Sequence, residues 1–420
     1  MRFARFPPGL FGECRDGGRW NVGSRRRKLD PSEIEGWEYF DTLVPLLARL
    51  KDIGTKRDKA GNRQLFYDQY ISLLLLYFFN PTITSLRGLQ QASTLEVVQR
   101  RLGIRATSLG SFSEAARVFN ADSLREILQE LALKATPVVQ GPGAQELLNL
   151  TAVDGSVFRA FPRMAWALWK DDSHRGVKLH LHFDVFCSVP TDAVVTPAAC
   201  SETAEMGSML KPGRLYVHDR GYLDHELYLK ILKAKSSFIG RIKDNGQYTV
   251  AETRPLSAEA RAAGVVSDEL VKRLGTSHHK NVLKEHQLRL VKVQRTNEKG
   301  ELQTWWLLTD RLDLAPELVA LGYRYRWTIE LFFRWLKCVL GCKQLLTTSA
   351  NGVALQVYTA LIASLLIVLW TGRKPTKRTW EMLQFYFQDW ASLDELEAHL
   401  EKQKLIDAKK QEPKDPSKKA

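Results

Sequence analysis

The sequence has 420 residues, of which 44% are apolar, so it is long enough to form more than one domain with a real core. Lysine and arginine total 61 against 47 acidic residues; the net charge of +14 and pI near 9.5 favour a polyanionic partner, either nucleic acid or an anionic membrane surface. The five scattered cysteines exclude a disulfide framework and predict a reducing cytoplasm.

The N-terminal part of the chain is predicted to be helical. Residues 1–30 form an irregular basic arm, and residues 31–140 have helical periodicity. Within them, 84–103 and 109–119 are predicted as two short helices around a glycine-containing turn. That pattern is typical of helix-turn-helix DNA-binding units but is also common by chance. We therefore predict a helical, DNA-binding N-terminal domain.

At about residue 148 the pattern changes from helices to strands. Three apolar or alternating runs come first, and then a helix, a strand, a helix and a strand. This order predicts a mixed α/β sheet. The predicted strands are 147–160, 177–187, 192–200, 213–222 and 236–245, and the predicted helices are 201–211 and 223–235.

Residues 246–310 interrupt this order with a polar, basic segment and a hairpin signal, which predicts a β-rich insertion subdomain. Farther on, the uncharged segment 351–372 is long enough to cross a bilayer. Because it contains Gln356 and Tyr358, we predict a buried core helix and keep a membrane span as the alternative. C-terminal helices are predicted over 373–405, and a disordered tail over 406–420.

Two aspartates occupy equivalent places in the predicted sheet. Asp154, in LTAVDGS, and Asp219, in LYVHDRG, are each predicted to end an apolar strand and to precede a turn. Strand ends border the ligand crevice of open α/β sheets, and a buried acid is costly unless it is solvated or paired. One such aspartate would be an ordinary turn residue, whereas two on one sheet indicate a site.

Glu330 is the single carboxylate in the basic, aromatic stretch 323–337, which we predict to be one amphipathic helix. It lies either in a surface ion pair with Arg334 or in a site where it binds metal and its neighbours hold phosphates. Together with Asp154 and Asp219 it completes three hard oxygen ligands, a set that suits two Mg²⁺ ions about 3.5–4 Å apart. Four residues share with it an arc of roughly 80° on a helical projection: Tyr323, Arg326, Arg334 and Lys337.

These motifs resemble those of a known family. The spacing of Tyr323, Arg326, Glu330 and Lys337 is similar to the YREK signature of the DDE transposases of the insertion sequence 4 group. AVDGS and LYVHDRGY resemble that family's first and second aspartate motifs, and the likeness extends over about 148–370. The resemblance implies an RNase H-like catalytic domain with flanking helices, formed by 146–245 and 311–372, with the β-rich insertion between them.

The resemblance also implies roles for individual residues. Asp154, Asp219 and Glu330 would be the catalytic triad and would bind two Mg²⁺ ions, for which Mn²⁺ would substitute. Trp305 would stack on a base flipped out of the duplex, with a purely structural aromatic as the alternative, whereas Trp306 on the opposite strand face is expected in the core. Further DNA contacts are expected from Tyr323, Arg326, Arg334 and Lys337.

The implied function is that of a transposase. It would bind terminal inverted repeats in double-stranded DNA, cleave them, and join the 3′-OH ends to target DNA in a cut-and-paste reaction. We expect a homodimer on DNA, a bacterial cytoplasmic location at the nucleoid, and no membrane partner. The alternative is a catalytically silent or domesticated derivative that only binds DNA, although a pure binder has no need for three convergent acids.

Overall fold

A computed structural model describes most of the chain. The predicted basic arm (1–30) and the last part of the predicted tail (412–420) lie outside the described residues. The described ranges are 44–55, 63–169, 174–244, 246–274, 283, 285–296, 300–388 and 390–411.

Six helices precede the first strand in the described part of the chain. The predicted helical character of this region is thus observed, with three short helices over 86–118. Ser85, Ser108 and Asn120 each cap the helix that follows by accepting a backbone N–H, and the fourth helix ends at Gly103 in the left-handed conformation. The helices are α1 (Val44–Thr55), α2 (Tyr67–Phe79), α3 (Leu86–Ser93), α4 (Glu96–Leu102), α5 (Leu109–Val118) and α6 (Ala121–Ala132).

The described strands form one nine-stranded mixed sheet in the order β3-β2-β1-β4-β5-β9-β8-β7-β6. β1 pairs antiparallel with β2 and parallel with β4, and β4 pairs parallel with β5. The first five strands thus have the order and orientation of an RNase H-like sheet, and the predicted α/β class is confirmed. The strands are β1 (Leu150–Arg159), β2 (Gly176–Asp184), β3 (Val189–Pro197), β4 (Leu215–His218), β5 (Ser237–Ile242), β6 (Tyr248–Thr253), β7 (Val265–Leu274), β8 (Leu288–Thr296) and β9 (Leu302–Thr309).

The segment predicted as an insertion is rich in strands, and these strands extend the main sheet. β6 to β9 pair antiparallel in sequence order, and β9 then pairs antiparallel with β5, so that Ile242 lies opposite Trp306. A short helix, α9 (Ala258–Ala262), lies between β6 and β7. The hairpin predicted near the end of this segment is formed by β8 and β9.

Helices cover both faces of the sheet. One face packs against the short α7 (Glu202–Ser208) and α8 (His225–Lys233), and Val153 and Tyr216 point to this side. The opposite face packs against the larger core, formed with the N-terminal helices and the helices after β9. These later helices are α10 (Pro316–Tyr325), α11 (Trp327–Cys338), α12 (Ala350–Thr371), α13 (Lys377–Phe387) and α14 (Leu393–Gln411).

The apolar helix α12 lies inside the larger core, as predicted for a core helix. In the described residues it is the one helix long and apolar enough to cross a membrane, and most of it is buried within the protein. Its polar groups have partners: Tyr358 donates to the Ala193 carbonyl at 3.2 Å, and Gln356 bonds the backbone of Gln344 and Leu346. These bonds satisfy side chains that would otherwise be costly to bury.

Two predictions about the site region were wrong. Residues 323–337 do not form one regular helix, because α10 ends at Tyr325, α11 begins at Trp327, and the N–H of Arg326 bonds the Tyr323 carbonyl only three residues back. In addition, Asp154 does not end its strand. β1 continues to Arg159 because its pairing with β2 continues, although its parallel pairing with β4 stops at Ala152.

Candidate active site

The three predicted triad carboxylates lie on the same side of the sheet. Side chains alternate along a strand, so Asp154 follows Ala152 onto the face covered by α11. By the same alternation Asp219, two residues after Val217, continues onto that face just beyond the end of β4. Glu330 lies in the first turn of α11, whose apolar side is buried in the same core. The fold therefore brings the three acids to one region.

Asp154 lies in a partly buried environment that perturbs its pKa. Burial raises the pKa of Asp154 to about 6; Asp219 and Glu330 add to the rise, whereas the Gly155 N–H and Arg326 oppose it. Its Oδ1 accepts the Gly155 N–H at 2.8 Å. Asp219 accepts the Gly221 N–H at the same distance and caps the short 3₁₀ turn Arg220–Tyr222. Each aspartate thus accepts a hydrogen bond from a backbone N–H one or two residues after it.

Arg326 lies between two of the carboxylates. Its Nη2 donates to Glu330 Oε1 at 2.8 Å, and its Nη1 lies 3.9 Å from Asp154 Oδ2. Its guanidinium carbon is 5.9 Å from the centre of the Tyr323 ring. The sequence predicted a Glu330–Arg334 pair as the ordinary alternative, but Glu330 pairs with Arg326 and Arg334 is exposed.

The other signature residues occupy different environments. Lys337 is half-buried, donates to the Val157 carbonyl at 2.7 Å and lies 4.6 Å from the Phe158 ring centre, and burial lowers its pKa. Tyr323 is buried, and burial raises its pKa. The polar arc expected on one helix is therefore divided among a buried phenol, two half-buried cations and an exposed arginine.

Trp305 lies on the same face of the sheet as Asp154. It is half-buried, packs against the larger core and makes a T-shaped contact with Tyr323 at 5.5 Å between ring centres. Trp306 faces the opposite side, as predicted, but it is also only half-buried, with Lys292 Nζ 4.9 Å from its ring centre. The expectation of a core position for Trp306 is thus only partly met. Its neighbour Lys292 must keep a charged group close to water.

Sequence reasoning missed Arg241 on β5. Its guanidinium carbon lies 5.8 Å from the centre of the Trp305 ring, and the same side chain bonds Tyr323. Strand alternation places Arg241 on the same face as Ile239, and that signal was present in the sequence. The contact with Trp305 depends on the pairing of β5 with β9, which joins residues 64 to 70 positions apart in the chain and has no local sequence signal.

Comparison with known proteins identifies the family. Residues 146–366, more than half of the chain, match the family described as transposase DDE domain. The chain belongs to the DDE transposase family. The resemblance proposed from the sequence is therefore confirmed, and the matched range of this transposase domain contains all three candidate acids.

Three relatives of the DDE transposase domain are named as transposases. The putative transposase y4zB of Sinorhizobium fredii is 33% identical over 199 residues, 46% of this chain and 53% of that protein. The probable transposase of insertion sequence element IS5377 of Geobacillus stearothermophilus is 26% identical, with coverages of 53% and 56%. The putative transposase of element IS4SA of Synechocystis is 23% identical, with coverages of 67% and 77%. The chain thus spans about half the length of the first two relatives.

A solved structure is also similar, with lower sequence identity than these relatives. The match is a cryo-EM structure of the piggyBac transposase synaptic complex with hairpin DNA, with a TM-score of 0.39 and 11% identity over 90% of this chain and 84% of that one. At that distance the likeness carries no argument about the site of this DDE transposase.

The DDE transposase domain implies divalent metal ions, and the donor set fits them by its chemistry. Asp154, Asp219 and Glu330 offer only carboxylate oxygens, the ligands that Mg²⁺ prefers. The side-chain arrangement differs from that of a loaded centre, because no three acidic, histidine or cysteine side chains among the described residues are grouped to hold one ion. Instead, Arg326 forms an ion pair with Glu330 Oε1 and lies close to Asp154.

Proposed function

We propose that this chain is an active cut-and-paste transposase. It binds transposon-end DNA, cleaves the phosphodiester bond by metal-assisted hydrolysis, and joins the new 3′-OH to target DNA. The observation that carries the proposal is the convergence of Asp154, Asp219 and Glu330 on one face of the sheet, next to the guanidinium of Arg326. A protein that only bound DNA would gain nothing from burying an acid among other acids.

The roles follow from this placement. Asp154, Asp219 and Glu330 would hold two Mg²⁺ ions, or Mn²⁺ in their place. When bound, such ions activate an attacking oxygen and stabilise the leaving oxygen on phosphorus. Arg326 lies against Glu330 and Asp154, whereas Lys337 bonds the carbonyl of Val157, three residues along β1 from Asp154. Both cations would hold the phosphates on either side of the scissile bond. The exposed Arg334 would contact the DNA backbone farther out.

The aromatic group beside the acids would hold a displaced base. Trp305 is half-buried on the same face, with Tyr323 in T-shaped contact and Arg241 near its ring. Stacking on its exposed part would contribute roughly 1–3 kcal/mol for a base extruded next to the cut. We infer that two copies act together, because both ends of an element must be joined, and that the protein works at the nucleoid in the bacterial cytoplasm.

The proposal is tested by neutralising each acid while keeping its shape. Asp154→Asn, Asp219→Asn and Glu330→Gln should each abolish cleavage and strand transfer and keep DNA binding, because phosphate contacts elsewhere supply most of the affinity. The substrate is labelled duplex carrying the inverted repeats that flank the gene, incubated with Mg²⁺ or with EDTA.

The matched control is Glu226→Gln. This exposed acid lies on α8, on the opposite side of the sheet, and the same chemical change there should leave cleavage unaltered. Cleavage by any of the three site variants at the wild-type rate would remove that residue from the triad. Binding of the repeats without cleavage by the wild-type protein would favour a silent DNA-binding derivative instead.

A further inference from the structure

Arg326 occupies a position that a cofactor would compete for. It is paired with Glu330 at 2.8 Å and lies 3.9 Å from Asp154, and its side chain is only 14% exposed. Two nearby carboxylates repel each other in a partly buried site, and the guanidinium lowers that cost. In the protein without metal, Arg326 therefore acts as the counter-ion of the acidic centre.

The attachment of Arg326 is incomplete. Its Nε is buried and has no hydrogen-bond partner among the described residues, and its separation from Asp154 exceeds that of a direct hydrogen bond. Arg326 also lies at the break between α10 and α11, where the regular helical hydrogen bonding is already interrupted. A small rotation at this junction would move the guanidinium away from the acids without unwinding a helix. Lys337, by contrast, is held by a backbone carbonyl and an aromatic ring.

We propose that Arg326 is an exchangeable counter-ion, which holds Asp154 and Glu330 together until divalent cations enter and which is displaced by them. A divalent ion and a guanidinium compete for the same oxygens, and both cannot approach Glu330 Oε1 closely. The displaced guanidinium remains on the basic side of α11, near Arg334 and Lys337, where a DNA phosphate can take it up. Metal entry and DNA binding would then favour each other. The inference rests on the proposed function for the presence of the metal.

The decisive measurement is the affinity of the DNA-free protein for Mn²⁺, by calorimetric titration of the full chain. Arg326→Gln should bind Mn²⁺ about tenfold more tightly than the wild-type protein, because one competing positive charge is gone from the site. Without metal, the same variant should melt at a lower temperature, and Mn²⁺ should raise its melting temperature by more than in the wild-type protein. Arg334→Gln is the matched control: it removes one charge from the exposed side of α11 and should leave both quantities unchanged.

Two further variants separate the possible outcomes. Asp154→Asn should lose most of the Mn²⁺ affinity; if it binds like the wild-type protein, the proposed metal site itself is wrong. If Asp154→Asn loses affinity and Arg326→Gln binds Mn²⁺ equally or more weakly than the wild-type protein, the site stands and the exchange is refuted. Arg326→Lys keeps the charge on a shorter side chain, and its Mn²⁺ affinity should lie between those of the wild-type protein and Arg326→Gln. This variant provides the test if Arg326→Gln does not fold.

The coupling to DNA has its own test. A short duplex that is not cleaved should increase the Mn²⁺ affinity of the wild-type protein, because its phosphates take up the displaced guanidinium, and Mn²⁺ should increase DNA affinity by the same factor. In Arg326→Gln the increase should be markedly smaller. An equal increase in both proteins would contradict the exchange.

Discussion

Replacing Asp268 with alanine should strongly destabilise the protein. Asp268 on β7 and Arg289 on β8 form a bidentate pair, with Nε–Oδ1 and Nη2–Oδ2 distances of 2.7 and 2.8 Å, and their side chains are 2% and 0% exposed. Removing one member of such a pair leaves a buried, uncompensated charge and typically costs about 3–5 kcal/mol. Arg254, 3.9 Å from the same carboxylate, would lose a partner as well.

The consequence reaches the candidate site. Nη1 of Arg289 donates to the carbonyls of Arg311 and Leu314, in the loop that leads into α10. This arginine therefore fixes the start of the helix that ends beside Arg326. If the guanidinium turns away after Asp268 is lost, two buried carbonyls lose their donor, each at a cost of about 1–3 kcal/mol. We therefore expect Asp268→Ala to lower the free energy of unfolding by at least about 3 kcal/mol.

The chain supplies a matched control in the same loop. Arg311 and Asp313 form a bidentate pair of the same geometry, at 2.8 and 2.7 Å, but Asp313 is 65% exposed. Hydrogen bonding to Arg311 lowers the pKa of Asp313 to about 2, yet solvent screens this pair, so Asp313→Ala should cost less than about 1 kcal/mol. The assay is urea unfolding at pH 7 followed by circular dichroism. Equal losses for the two variants would refute the argument from burial.

Three further predictions concern DNA binding and pH. The affinity for duplex DNA should fall at least tenfold or so between about 50 and 200 mM salt, because lysines and arginines displace counterions from phosphates, and a flat response would contradict this electrostatic account. Trp305→Ala should weaken binding to a cleaved end by about 1–3 kcal/mol, while Trp306→Ala should not, and an abasic nucleotide at the stacking position should abolish the difference. Burial lowers the pKa of His182 to about 3. Below about pH 6.5 the folded state therefore binds fewer protons than the unfolded state, and the free energy of unfolding should be about 2 kcal/mol lower at pH 5 than at pH 7. Thermal melts of His182→Gln should show a shallower dependence on pH, and an unchanged slope would exclude this histidine as the cause.

The sequence predicted those features of the fold that depend on periodicity. The ends of two apolar runs placed Asp154 and Asp219 in comparable positions. The amphipathic pattern of 323–337 predicted a buried side, and Ile329, Phe332 and Leu336 form that side in α11. The uncharged stretch of α12 contained too many polar groups for a lipid environment, and these groups indeed have protein partners. The roles of the three acids remain predictions, because the structure shows where these side chains lie and not what they bind.

The features that the sequence did not predict depend on contacts distant in the chain or on a single residue. The break at Arg326 has no proline or glycine to signal it, and α10 and α11 keep nearly the same periodicity across it. The Arg326–Asp154 approach joins elements more than 170 residues apart. Likewise, alternation within β9 says which face Trp305 takes but not which strand lies beside it.

The pairing of β5 with β9 brings the two ends of the segment between these strands together. Ile242, at the end of β5, lies opposite Trp306, so the chain leaves the sheet and returns to it at adjacent positions. The intervening strands can thus differ in length without changing the distance between the residues that precede and follow them. A hairpin turn joining β5 directly to β9 would give a minimal catalytic core for engineering, provided that new donors replace Arg289 at the carbonyls of Arg311 and Leu314.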